Sequence, residues 1–223
     1  MLQYERQAWI QGHKRLAGVD EAGRGPLAGP VMAAAVVFDR DFLEAEQYGL
    51  LREVNDSKRL SATLRDDLFA FLTNSPCLAY SVGVACVDEI DDRNILRATH
   101  LAMSRALAGL IPAPDFALVD GLPVPGLPCP SQAIVGGDAR SLSIAAASII
   151  AKVARDRTML ELDRVYPQYG FARHKGYGTK AHLQALLEYG PCREHRRSFR
   201  PVQEVIRMVG SRGGGVEQGE GGQ

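Results

Sequence analysis

The sequence predicts an α/β domain built on a mixed five-stranded sheet. Apolar runs and amphipathic segments follow one another in the order strand, strand, helix, strand, helix, strand, strand, helix. Apolar residues make up 46% of the 223 positions, ample for one substantial core. Three of the strand-like runs also end on or just before acidic residues, which suggests where chemistry would sit.

Leu16-Ala17-Gly18-Val19 reads as a short buried strand, followed at once by Asp20 and Glu21. Val31–Phe38 is a second, and the Gly/Pro loop between the two suggests an antiparallel pair. Ser61 fits the N-cap of a helix with Leu64, Leu68, Phe71 and Leu72 on one face. Tyr80, Val82 and Val84 alternate within a third strand over Cys77–Cys86. Asp88-Glu89-Ile90-Asp91-Asp92 opens a helix that runs through Leu110 and stops before Pro112. Acids at a helix start favour the macrodipole, so this cluster has an ordinary explanation. Phe116–Asp120 is a fourth strand, and Gln132–Val135 a fifth that leads into Gly136-Gly137-Asp138. From Ser143 an Ala-rich helix extends to about Asp163, its small side chains suited to close packing on a sheet.

Formal net charge is zero, so any nucleic-acid footprint must be local. Between Arg173 and Arg200 seven Lys/Arg residues stand against two acids, mixed with aromatics. Phosphate backbones and bases favour that mixture, although a solvated charged surface gives the same pattern. Cys77, Cys86, Cys129 and Cys192 are scattered without metal-ligand spacing and read as free thiols of a reducing compartment. With no signal-peptide core and no membrane-length apolar run, the expectation is a cytoplasmic protein that does not engage a membrane.

Asp20 and Glu21 at a strand end are costly unless a cation faces them. If the first and fourth strands are parallel neighbours, Asp120 joins them at one end of the sheet, with Asp138 nearby. Oxygen-only ligation suits Mg²⁺ or Mn²⁺, and two such ions are equipped for phosphodiester hydrolysis. Taken alone, Asp120 before Gly121 also suits a turn, and Asp138 a helix start.

The motifs then go further than composition. They are Gly-Val-Asp-Glu-Ala-Gly-Arg-Gly-Pro, Asn-Asp-Ser-Lys-Arg-Leu, Val-Asp-Gly, Gly-Asp before Ser-Ile-Ala-Ala-Ala-Ser-Ile-Ile-Ala-Lys-Val, His-Lys-Gly-Tyr-Gly-Thr, and His-Arg-Arg-Ser-Phe. In this order, over Leu16–Val202, the chain resembles the ribonuclease HII (type 2 ribonuclease H) family. The resemblance implies a ribonuclease H-like sheet flanked by helices over residues 1–165. A helical substrate-binding part over 166–209 and a disordered Gly-rich tail over 210–223 would follow.

It also implies a monomeric endoribonuclease that cuts the RNA strand of RNA/DNA hybrids and cleaves 5′ of ribonucleotides embedded in duplex DNA. The products carry 3′-hydroxyl and 5′-phosphate ends, and two divalent ions, Mn²⁺ or Mg²⁺, are held by Asp20, Glu21, Asp120 and Asp138. Gly23, Arg24 and Gly25 fall on the element that contacts the ribose 2′-hydroxyl. Tyr177 falls on the tyrosine that stacks on the neighbouring deoxyribose, and Lys58 is a candidate phosphate contact. One departure is Gly136, where the family commonly carries Lys.

Overall fold

The computed structural model describes residues 1–46 and 61–213. Its strands are β1 Leu16–Ala22, β2 Val31–Phe38, β3 Leu78–Ala85, β4 Phe116–Asp120 and β5 Ser131–Ile134, in the sheet order β3-β2-β1-β4-β5. β1, β2 and β3 pair antiparallel, while β4 runs parallel to β1 and β5 parallel to β4. The sheet is therefore mixed, as expected. The helices are α1 Gln3–Ile10, α2 Arg40–Glu46, α3 Ala62–Asn74, α4 Val87–Ala108, α5 Leu142–Val165, α6 Phe171–His174, α7 Lys180–Tyr189 and α8 Arg200–Gly213.

Helices cover both faces of the central strands, which explains why β2 is apolar throughout instead of alternating. Ala34 and Val36 face the cluster that contains Ala146, Ile150 and other residues of α5. Val31, Ala33, Ala35 and Val37 face Ala98, Ala102 and Ala106 of α4 on the other side. α5 lies hard against β1 at Gly18. A Cβ there would strike the main chain of Ser143, so no larger residue fits without moving the helix.

Ser141 caps α5, its Oγ accepting the Ile144 N–H at 3.2 Å, so the helix starts just ahead of the expected Ser143. The buried Glu5 of α1 accepts from Ser141 Oγ at 2.6 Å and from Ser143 N–H at 3.1 Å. Ser61 caps α3 as predicted, accepting from Leu64 N–H at 3.2 Å.

α4 breaks at Asn94, where φ is 67°, and Asn94 Oδ1 accepts from the N–H groups of Leu96 and Arg97 to restart it. The acidic opening of α4 does more than face a dipole. Asp91 accepts hydrogen bonds from Arg197 N–H, Ser198 N–H and Ser198 Oγ, which ties the C-terminal segment to α4. At the C-terminal end α8 takes in residues 210–213, which the glycine content had placed in the tail. Residues 214–223 lie outside the described residues.

Candidate active site

β1 continues to Ala22, so Asp20 and Glu21 belong to the strand instead of following it. Alternation then sends them to opposite faces. Asp20 shares the α5 face with Gly18. The β1–β4 register runs through Val19↔Val119, which makes Asp120 the next residue beside Asp20. Two acids a hundred positions apart in sequence thus meet because two parallel strands are in step.

Asp20 is 4% exposed and accepts the Glu21 N–H at 2.7 Å. Burial pushes its carboxyl well above the usual range, Glu21 and Asp120 push it further, and a Ser148 hydrogen bond opposes them. Burial also raises Glu21, against the pull of the Arg24 guanidinium, whose Nη1 lies 3.3 Å from Glu21 Oε1. Asp120 Oδ1 accepts the Gly137 N–H at 2.6 Å. Asp138, next in the chain and 7% exposed, sits on the 3₁₀ turn Gly137–Ala139 after β5.

Asp20, Glu21 and Asp120 line one cavity of about 300 Å³. Gly23, Arg24, Gly25 and Tyr177 line it as well, and Ser148, Lys152 and Arg155 enter from α5. Asp138 does not line this cavity. Among the described residues no three His, Cys, Asp or Glu side chains form a ready-made chelate. The donor set nevertheless suits hard divalent cations. It consists of carboxylate oxygens whose ionisation burial and mutual repulsion disfavour, and a cation relieves both. A larger cavity of about 610 Å³ opens at the opposite end of the sheet, by Arg15, Phe38 and Leu78, and none of the predicted site residues lines it.

Tyr177 is 46% exposed, and a Cβ on Gly25 would lie 3.7 Å from its ring. A histidine relay lies behind this tyrosine. Cys192 N–H donates to His195 Nδ1 at 3.0 Å, so His195 carries its proton on Nε2 and donates to His182 Nε2 at 3.0 Å. His182 then donates from Nδ1 to the Tyr177 carbonyl at 2.9 Å. Burial lowers the pKa of both histidines, that of His195 to about 3, and holds the relay neutral.

Sequence reasoning missed Ser148, Lys152 and Arg155. Their signal is a polar stripe at helical spacing on an otherwise small and apolar helix. It also read Arg196 as part of a nucleic-acid-facing basic stretch. The structure corrects this, because Arg196 is fully buried, while Arg173, Lys180, Arg193, Arg197 and Arg200 are exposed. Gly136 adopts φ 65°, a conformation that favours glycine. Lys58 lies outside the described residues.

The family model described as Ribonuclease HII matches residues 17–202. The chain belongs to the ribonuclease HII family. It is 52% identical over 207 residues to ribonuclease HII of Geobacillus kaustophilus, spanning 93% of this chain and 76% of that one. To ribonuclease HII of Chlamydia muridarum it is 53% identical over 205 residues, spanning 92% and 90%. The crystal structure of ribonuclease H2 from Pyrococcus horikoshii superimposes with a TM-score of 0.73 at 30% identity, covering 87% of this chain and 98% of that one. A ribonuclease HIII solved with Mn²⁺ shares the fold at a TM-score of 0.68 and 18% identity. The protein is accordingly a metal-dependent ribonuclease H, an endonuclease for the RNA strand of RNA/DNA hybrids. Among the described residues no helix is long and apolar enough to cross a membrane.

Proposed function

We propose that this ribonuclease HII also incises duplex DNA on the 5′ side of an embedded ribonucleotide, leaving 3′-hydroxyl and 5′-phosphate ends, as a cytoplasmic monomer. The observation that supports it is the sharing of one cavity by Asp20, Glu21 and Asp120 with the backbone of Gly23–Gly25 and the ring of Tyr177. Cutting groups and sugar-reading groups therefore meet the same nucleotide.

Asp20, Glu21, Asp120 and Asp138 would hold two divalent ions, Mg²⁺ or Mn²⁺. Bound there, the ions supply Lewis-acid stabilisation of the phosphate and a more acidic water. The protein's part is to bind and select. The backbone of Gly23, Arg24 and Gly25 meets the ribose 2′-hydroxyl, the one group that separates RNA from DNA at a single position. Tyr177 presents its exposed ring to the adjacent deoxyribose, and the neutral His195–His182 relay fixes the carbonyl of that tyrosine. Lys58 is assigned a phosphate contact on sequence alone.

The test is cleavage of a DNA duplex carrying one ribonucleotide, with Mg²⁺, with Mn²⁺ and with EDTA, beside an all-DNA duplex. Cutting confined to the 5′ side of the ribonucleotide and dependent on the ion is expected. Comparable cutting of the all-DNA duplex would sink the 2′-hydroxyl reading.

A further inference from the structure

Among the described residues, Arg155 and Arg196 are the largest fully buried side chains, 1% and 0% exposed. Burying a charge is costly unless hydrogen bonds replace its water. Here the replacement comes from main-chain carbonyls. Arg196 donates from Nε to Gly29 at 2.9 Å, from Nη1 to Arg24 at 3.0 Å and Pro26 at 2.8 Å, and from Nη2 to Gly23 at 2.6 Å and Pro30 at 3.2 Å. Arg155 donates to the carbonyls of Pro30, Ala28 and Lys175. The loop between β1 and β2 is thus wrapped around two guanidinium groups. Burial and Arg155 lower the Arg196 pKa to about 9, which leaves the group cationic at neutral pH.

Planar trans peptides turn this clamp into a statement about the cavity. Within one peptide unit the C=O and N–H point in opposite directions. The Gly23 and Arg24 carbonyls are turned onto Arg196, so the N–H groups of Arg24 and Gly25 point away from it. Among the described residues neither N–H has a main-chain acceptor, and both residues line the 300 Å³ cavity. The next N–H of the loop that could compete, on Leu27, is already spent on Gly176 at 2.8 Å, and Pro26 has none.

We propose that Arg196 is a positioning residue for sugar selection. By drawing the Gly23 and Arg24 carbonyls inward, it presents the Arg24 and Gly25 N–H groups to the ribose 2′-oxygen. The inference rests on reading Gly23–Gly25 as the 2′-hydroxyl contact. It supplies a reason for discrimination: a deoxyribose offers no acceptor and leaves two desolvated donors unpaired.

The experiment compares wild type, Arg196→Lys and Arg155→Lys. Dissociation constants are measured in EDTA, where nothing is cleaved, for two duplexes that differ by one 2′-hydroxyl. The quantity read is the ratio of the DNA constant to the ribonucleotide constant. Losing one well-placed hydrogen bond should lower that ratio about tenfold in Arg196→Lys. Arg155→Lys should lower it less than Arg196→Lys, because Arg155 packs against Gly23 but its hydrogen bonds to this loop fall on Ala28 and Pro30.

A wild-type ratio in a folded Arg196→Lys, whatever its overall affinity or stability, overturns the proposal. A wild type that does not distinguish the duplexes overturns the 2′-hydroxyl reading instead. Should Arg196→Lys not fold, hydrogen exchange on the wild type decides. The Arg24 and Gly25 amides should exchange freely in the unbound protein and be protected only by the ribonucleotide duplex. Protection without substrate, or equal protection by both duplexes, refutes the orientation.

Discussion

Asp20 holds its carboxyl 4% exposed, with Glu21 and Asp120 both opposing its ionisation. Replacing it with Asn removes the repelled charge and keeps an acceptor for the Glu21 N–H. Asp20→Asn should abolish cleavage yet raise metal-free stability by on the order of 1 kcal/mol. It should also shrink the rise in melting temperature that Mg²⁺ or Mn²⁺ gives the wild type. Activity assays paired with thermal melts, with and without the ion, check both halves. Gly18→Ala should act purely on the fold. Its methyl would strike the Ser143 main chain, and urea melts should show a loss of about 2 kcal/mol or more. Tyr177→Ala should weaken the preference for RNA–DNA junctions while leaving cleavage inside a long hybrid; unchanged junction preference would remove its role. At this scale the gathering of Asp20, Glu21 and Asp120 was legible, because Asp-Glu closes one apolar run and Asp120 ends another that pairs with it in parallel. Arg196 was not. It sits in a run of basic residues, and nothing local reveals that its acceptors are carbonyls near the other end of the chain.

The long elements follow from periodicity, and their exceptions have identifiable causes. β2 was recognised from an uninterrupted apolar run, which both covered faces require. α1 and α2 escaped notice because they are short, and each turns only a few side chains, Ala8 and Leu43 among them, to the core. The break in α4 at Asn94 was hidden inside a pattern that reads as helical on both sides, with the Glu89–Arg105 pair spanning it at 2.7 Å. The C-terminal helices carry a dependence on acidity. His195 has a folded pKa of about 3, far below an unfolded histidine near 6.5. Between these values the unfolded chain binds more protons, so stability is complete above about 6.5 and falls as pH drops towards 3. The loss should reach at most a few kcal/mol. Urea melts between pH 7 and 4 should show this slope, and His195→Gln should flatten it; an unchanged slope would locate the acid sensitivity elsewhere.

Across the whole molecule, the boundary expected at residue 165 separates helices in sequence more than it separates bodies in space. Leu27 N–H bonds to Gly176, Gly29 N–H to Glu194 and Arg196 N–H to Leu27, while Ala28 bridges to His195. The loop after β1 is therefore a component of the C-terminal part as much as of the sheet. We expect the segments before and after residue 165 to unfold in one transition, with coincident curves from near- and far-ultraviolet circular dichroism. Two separated transitions would restore the division. The same wiring has a consequence for how the enzyme comes into being. A ribosome delivers Asp20, Glu21, Asp120 and Asp138 before it delivers Arg196, the side chain that bonds Gly23 across 173 positions. On each newly made copy, these four acids leave the exit tunnel first, and the side chain that holds the loop between β1 and β2 follows them.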